Sequence, residues 1–303
     1  MLTARECTRI SLKNILVTTD FSETSYSALP FALALSRLYG ARLVVAHVLG
    51  PEPRRQVVLD RLSELDDRVW QDAKQKLLEF AQDPSLENTH CRTLLECGDI
   101  ADIVPSLIQE HAIDLVVLGT SGRRGVAKIF LGSGAEKIYR SASCPVLTVG
   151  PKARSKAAPK AHGESGTPWK IEHILYPVDL SEDSADALHY ALSLAEENQA
   201  TLVLLNAEEL VPWQHRSAVE GRVRRSLEDL IPAEAGDWCE PQYVVSWEDP
   251  ADAILHTAHA WAIDLIVMGV HTARVASLSS HLPWPIASEV VSRAPCPVLT
   301  VRV

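Results

Sequence analysis

The sequence predicts an α/β fold of two tandem domains, each a mostly parallel sheet of five strands with helices on both faces. Its 303 residues are enough for about two domains with cores of their own. The chain also repeats itself: NILVTTDFSE at residues 14–23 returns as HILYPVDLSE at 173–182, and AIDLVVLG at 112–119 returns as AIDLIVMG at 262–269. A period of about 150 residues indicates a duplicated domain rather than a short solenoid unit. In each half, short apolar runs typical of strands alternate with segments whose apolar residues recur at helical spacing. This alternation favours parallel strands joined by right-handed crossovers.

In the first half, each element follows from a local pattern. Residues 15–18 form a short apolar run, and DFSE at 20–23 supplies cap residues with a carboxylate in the first helical turn. Apolar residues then recur at helical spacing from Ala28 to Leu35, which predicts one helix that ends near Gly40. The remaining predicted strands are 43–48, 91–96, 115–118 and 146–149, and the remaining predicted helices are 56–81, 100–111 and 134–141.

The second half repeats this series from Ile174, with a shorter long helix at 217–230. Residues 151–168 are rich in Lys, Ala, Ser, Gly and Pro, so we predict domains at 1–150 and 169–303 joined by a linker. Both domains close with CPVLTV, whose strands at 145–149 and 297–301 would otherwise leave backbone groups unpaired. We therefore expect these strands to join the two domains as an intrachain pseudo-dimer. A homodimer of the tandem chain is also expected.

The composition of the chain argues against several classes of partner. A net charge of −10 argues against nucleic acid, because phosphate binding needs a clustered basic surface. The apolar runs are of strand length, and the amino terminus lacks an apolar leader, so the sequence predicts a cytoplasmic protein without membrane contact. The six cysteines form no CxxC pair and no zinc-like spacing, which predicts neither a metal centre nor a disulfide framework.

One motif in the first half suggests chemistry. Gly119 and Gly122 follow the fourth predicted strand, and Gly132 and Ser133 come after nine further residues. Glycines in the first turn let backbone amides approach a phosphate chain, and Gly132 with Ser133 would open a helix whose amides and dipole favour an anion. Ligands of open α/β sheets bind beyond the carboxyl ends of the strands, where this motif lies. A turn without a ligand is the alternative.

The glycine spacing, the opening TDFSE and the closing CPVLTV together resemble the universal stress protein family, over nearly the whole chain. The resemblance implies Rossmann-like or flavodoxin-like domains, binding of ATP or AMP with or without Mg²⁺, dimerisation and a role in stress adaptation. It also implies a set of nucleotide-binding residues: Thr18, Thr19, Asp20, Val48, Gly119, Gly122, Arg123, Gly132 and Ser133. Asp20 would meet the adenosine end and the Val48 backbone the adenine, but Asp20 could instead cap a helix, and Arg123 could be merely solvated.

The second half has lost the motif. Thr272 stands where the second glycine would be, no Gly-Ser pair follows, and Pro283 and Pro285 remove amide donors. We therefore expect one nucleotide site, in the first half. His271 and His281 are too few to indicate a metal site.

Three functions remain open from the sequence: a nucleotide-binding regulatory protein, a slow ATPase, and an interaction scaffold without nucleotide. The chain has no Walker sequence, and besides Asp20 no acid can be placed near the phosphates. We therefore expect a regulatory binding protein rather than an enzyme, with slow ATP hydrolysis at most.

Overall fold

The structure is a computed structural model that describes residues 9–50, 59–120, 133–153, 169–180, 185–270 and 284–302. Its strands are β1 Asn14–Thr18, β2 Arg42–Leu49, β3 Cys91–Cys97, β4 Leu115–Gly119, β5 Val146–Val149, β6 His173–Pro177, β7 Thr201–Ala207, β8 Gln242–Ser246, β9 Leu265–Val270 and β10 Val298–Arg302. Its helices are α1 Glu23–Tyr26, α2 Leu29–Tyr39, α3 Leu59–Ala81, α4 Ile100–Glu110, α5 Ser133–Ser141, α6 Ala185–Asn198, α7 Arg216–Asp229, α8 Pro250–Ala260 and α9 Trp284–Arg293. The predicted alternation of strands and helices is confirmed.

The first helix region differs from the prediction. Instead of one helix after the first strand, α1 ends at Tyr26 and α2 begins at Leu29. Pro30 is the physical reason, because it has no amide to donate to the Tyr26 carbonyl and its ring crowds that carbonyl. Pro30 is acceptable in the first turn of α2, where amides have no partner within the helix. The break produces the separate short helix α1 next to the end of β1.

All ten strands form one sheet, in the order β3-β2-β1-β4-β5-β10-β9-β6-β7-β8. Pairing within each half is parallel, and β5 pairs antiparallel with β10. The predicted pairing of the two closing strands is therefore confirmed. Leu147 lies opposite Leu299, its own counterpart in the repeat, so a pseudo-twofold axis passes through this pair.

The core has two layers because strand residues alternate between the faces of the sheet. On one face, Ile15 and Val17 of β1 and Ile174 and Tyr176 of β6 belong to a single cluster that runs across both halves. On the other face, each half has its own cluster. Helices therefore cover both faces, as predicted, and the apolar layer of one face is continuous across the junction.

The junction also contains contacts from helices. Tyr139 of α5 is only 5% exposed and packs in the core cluster of the second half. Arg302 at the end of β10 donates a hydrogen bond to the carbonyl of Arg140, at the carboxyl end of α5. A β carbon built on Gly150 would lie 2.9 Å from the carbonyl oxygen of Val291 on α9, so the backbones of the two halves touch there. These contacts attach α5 of the first half to the second half.

No helix in the described part of the chain is long and apolar enough to span a bilayer. Most of the predicted linker lies outside the described residues, so the domain boundaries remain a prediction.

Candidate functional site

The topology creates one crevice in each half. In the first half β1 lies between β2 and β4, so the chain leaves β1 toward one side of the sheet and later returns on the other. Such a switch point leaves a crevice beyond the carboxyl ends of the strands, where ligands of open α/β sheets bind. The predicted residues Thr18, Asp20, Val48 and Gly119 all lie at these ends. In the second half, β6 between β7 and β9 has the same position.

The turn after β1 is held by hydrogen bonds around Thr19, which is 7% exposed. Its amide donates to the Ala46 carbonyl at 3.0 Å, and its hydroxyl oxygen accepts from the Phe21 amide at 3.0 Å. The same hydroxyl lies 3.0 Å from the hydroxyl of Ser25. Thr19 thus uses its polar groups to build the turn, and Thr18 before it is equally buried, at 8% exposed. Their role as ligand contacts stays a prediction.

Phe21 has a left-handed backbone with a φ of 61°, which is costly for a residue with a bulky side chain. Its ring lies against the ring of His47, with the centroids 4.4 Å apart. His47 Nδ1–H donates to the Thr19 carbonyl at 2.7 Å. This hydrogen bond requires the proton on Nδ1, since a carbonyl can only accept, and leaves Nε2 as the acceptor of the neutral ring. His47 therefore connects β2 to the turn that carries Asp20.

Asp20 is exposed, and its carboxylate accepts from the Ser22 amide at 2.9 Å and from the Ser22 hydroxyl. Partial desolvation of the carboxyl group would by itself raise its pKa, but the hydrogen bonds from Ser22 and Ser25 outweigh this effect and lower the pKa below the usual value. Asp20 is therefore charged at neutral pH. It does not cap α1, because the cap residue is Ser22, whose hydroxyl accepts from the Ser25 amide.

Val48 presents backbone groups at the same edge. The pairing of β1 with β2 stops at Thr18 opposite Ala46, and the Ala46 carbonyl takes the amide of Thr19. Residues two apart along a strand direct their backbone groups to the same neighbour. The amide and carbonyl of Val48 therefore point toward the β1 side of β2, beyond the point where β1 ends.

Gly119 ends β4 and is packed against α1. A β carbon at this position would lie 2.0 Å from the carbonyl oxygen of Thr24 and 3.2 Å from the Cα of Ser25. Real contacts are never that short, so the close approach of α1 to β4 requires glycine here. This packing reason for Gly119 is independent of any phosphate.

Ser133 is exposed and is the first residue of α5. Lys137 of this helix donates from its ammonium group to both carboxylate oxygens of Asp99 at 2.9 and 2.8 Å. Asp99 in turn caps α4, and the hydrogen bond from Lys137 lowers its pKa. The remaining predicted phosphate-binding residues, Gly122, Arg123 and Gly132, lie outside the described residues.

The crevice of the second half keeps the backbone arrangement with different side chains. Leu180 has a φ of 60°, as Phe21 has, and Asn206 replaces His47. Asn206 Nδ2 donates to the Val178 carbonyl at 3.0 Å, while its own Oδ1 is buried without a hydrogen-bond partner. The segment containing His271, Thr272 and His281 lies outside the described residues. In the part of the chain that is described, no group of three or more His, Cys, Asp or Glu side chains is placed to hold a metal ion.

The comparison with known proteins decides the family. The model of the universal stress protein family matches residues 11–150 and again residues 170–302. The chain belongs to the universal stress protein family. Its similarity to a universal stress protein of Thermus aquaticus is 34% identity over 143 residues, which are 45% of this chain and 98% of that protein. Its similarity to one from Methanocaldococcus jannaschii is 28% over 141 residues, 45% of this chain and 81% of that protein. These relatives therefore match about one repeat.

A solved structure matches the whole architecture. The universal stress protein of Archaeoglobus fulgidus superposes with a TM-score of 0.69 over 95% of this chain and 98% of its own, at 20% identity. At this identity the likeness concerns the fold. The Rossmann-like α/β architecture predicted from the sequence is thereby confirmed for both repeats.

Two features of the site escaped the sequence. His47 aligns with Asn206 in the repeat, so comparing the halves for identical residues passes over it. The left-handed backbone at Phe21 and Leu180 is also invisible, since neither position is a glycine. The polar residue just before Val48 was the available signal, because a half-buried histidine at a strand end needs a partner.

Proposed function

We propose that this universal stress protein binds one adenine nucleotide, ATP or AMP, at the crevice of the first repeat and acts as a regulatory protein in stress adaptation. The observation that carries the proposal is that the glycine motif, intact in the sequence, begins at Gly119, the last residue of β4 beside the crevice between β1, β2 and β4. The first repeat combines this motif with the carboxylate of Asp20 and with the Val48 amide and carbonyl, which point toward the β1 side of β2 beyond the end of β1.

The described residues fit a nucleoside. Backbone amide and carbonyl groups, such as those of Val48, suit the edge of an adenine base, and a charged carboxylate such as Asp20 suits ribose hydroxyls. The fixed turn between them is consistent with a preformed pocket.

At the phosphate end, Ser133 and the first amides of α5 would meet the polyphosphate, because a helix start offers unpaired amides and a favourable dipole. This nine-residue helix is packed into the core through Tyr139 and makes an exposed ion pair from Lys137 to Asp99. Gly122 and Gly132 would complete the cradle. Mg²⁺, when present, would neutralise charge on the phosphates.

We propose binding rather than catalysis as the main role. The carboxylate of Asp20 is already engaged by the amide and hydroxyl of Ser22, which weakens it as a base or metal ligand. The proposal therefore includes hydrolysis only at a slow rate.

Titration calorimetry on nucleotide-free protein tests the proposal, with ATP and AMP as ligands in the presence and absence of Mg²⁺. A solved universal stress protein is described in complex with cAMP, so cAMP is included as a third ligand. Asp20→Ala should weaken the binding of ATP and of AMP alike, by about tenfold, because the site loses a charged hydrogen-bond acceptor. Ser133→Ala should weaken the binding of ATP more than that of AMP. Ser217 is exposed on α7, so Ser217→Ala should change neither affinity.

The alternatives have distinct signatures in the same experiment. Absence of binding to every nucleotide would contradict the proposal and favour an interaction scaffold. Multiple turnovers of ATP per minute, abolished by Asp20→Ala, would favour an enzyme.

A further inference from the structure

We propose that His47 is the positioning residue for the nucleoside end of the site, and that its ring, rather than its hydrogen bond alone, distinguishes the first repeat from the second. This inference rests on the nucleotide site proposed above. It concerns a residue that touches the turn carrying Asp20 and stands directly before Val48.

The first step is the hydrogen bond. The carbonyl of Thr19 is the last backbone group before Asp20, and His47 Nδ1 holds it at 2.7 Å. The Thr19 amide is held by Ala46, the residue before His47, at 3.0 Å. The backbone amide and the backbone carbonyl of Thr19 are therefore bound to two adjacent residues of β2. Both bonds hold the residue before Asp20 against the part of β2 that directly precedes Val48.

The second step is the ring contact. Phe21 follows Asp20 in a left-handed conformation that a β carbon makes unfavourable. The ring of His47 packs against the Phe21 ring at 4.4 Å, and the ammonium group of Lys76 lies 5.9 Å from the centre of the same ring. These contacts hold the Phe21 side chain, which belongs to the residue directly after Asp20, against β2 and α3.

The third step is the comparison inside the chain. In the second repeat Asn206 makes the equivalent bond to Val178 at 3.0 Å, and Leu180 keeps the left-handed backbone. The bond and the turn are therefore features of the fold, present with or without the glycine motif. The aromatic pair occurs at this turn only in the repeat that keeps the motif, among the described residues of the two crevices.

His47→Asn and His47→Leu separate the two contributions. The first keeps a side chain that can hold the Thr19 carbonyl, as Asn206 does for Val178, but removes the ring. The second removes the bond and keeps an apolar contact with Phe21. Asn206→His is the matched control in the second repeat. Calorimetric titration with ATP and AMP, together with the melting temperature of each nucleotide-free variant, measures binding and folding separately.

We expect His47→Asn to raise the dissociation constants of ATP and AMP by the same factor of about ten, which is the scale of one aromatic contact. The ratio of the two dissociation constants should therefore stay unchanged. His47→Leu should weaken the binding of both nucleotides at least as much, and Asn206→His should leave both affinities unchanged. Wild-type affinity in both His47 variants, with only a lower melting temperature, would overturn the positioning role and leave the nucleotide site intact. A loss confined to ATP would overturn it as well, because the defect would then lie at the phosphates. Wild-type protein that bound neither nucleotide would overturn this inference together with the proposed function.

Discussion

The two repeats share the framework of their crevices and differ in the side chains placed on it. Asp114 and Asp264 each accept from two consecutive backbone amides at the start of the first strand of their repeat, at 2.7 to 3.0 Å. The left-handed turn is also common to both, with φ values of 61° at Phe21 and 60° at Leu180. These two features of the framework are therefore part of the fold, even though they lie beside a candidate ligand site.

Two of the differences between the repeats concern the crevice and the junction. One is the crevice, where His47 and the glycine motif of the first repeat are replaced. The other is the junction: Gly150, six residues after Cys144, touches α9, whereas Arg302, six residues after Cys296, reaches α5. Divergence after duplication has thus changed the side chains at the crevice and the contacts between the halves.

The largest expected effect comes from Gly119→Ala. We predict a loss of about 3 kcal/mol or more in the free energy of unfolding, because the new β carbon would collide with the Thr24 carbonyl. Chemical denaturation without nucleotide measures it. Gly221→Ala is the control, since a β carbon there meets nothing within 4 Å and alanine favours the helix. Wild-type stability combined with lost nucleotide binding would instead assign Gly119 to the ligand and break the comparison.

Next in size are the matched variants Asp114→Ala and Asp264→Ala. Each leaves two backbone amides without their charged acceptor, so each should lower the free energy of unfolding by about 2 to 3 kcal/mol. The comparison predicts similar losses, measured by denaturant titration. A large loss at only one of the two positions would show that the repeats do not share this framework.

Gly150→Ala tests the junction. Its β carbon would lie 2.9 Å from the Val291 carbonyl, so the halves must separate slightly, at a cost of about 1 to 2 kcal/mol. Hydrogen exchange should increase in α9 and β10 relative to wild type. Unchanged exchange and stability would mean that the two halves do not meet at this point.

The smallest effect concerns the carboxyl end of the helix that precedes the second strand of each repeat, α2 in the first and α6 in the second. Gly40 and Gln199 occupy equivalent positions with φ values of 64° and 52°. Gln199→Gly should therefore stabilise the protein by about 0.5 to 1 kcal/mol, and Gly40→Ala should destabilise it by a similar amount. Thermal melting of both variants checks the opposite signs. A stabilising Gly40→Ala would contradict the left-handed assignment.

Much of the fold could be predicted because the repeat, the alternating strands and the cap residues are local patterns. The pairing of β5 with β10 followed from two identical closing segments that each needed a partner. The break before Pro30 was missed because the helical spacing of apolar residues runs across it, although the missing amide decides the structure. For the candidate site, the family pattern predicted Asp20, Val48 and Gly119, which lie at the carboxyl ends of their strands, and their contact with a ligand stays a prediction. His47 was not, because its role depends on a bond to a residue 28 positions earlier in the chain.

The central claim is that one repeat carries the nucleotide and the other does not. The most direct test is to denature the purified full-length protein and to identify and count the released nucleotide by chromatography and mass spectrometry, alongside Gly122→Val. We predict about one adenine nucleotide per chain, lost in the variant. Two nucleotides per chain, or one that persists in Gly122→Val, would contradict the contrast between the repeats. If no nucleotide is released, the emptied protein is titrated with ATP and AMP, and failure to bind either would contradict the claim.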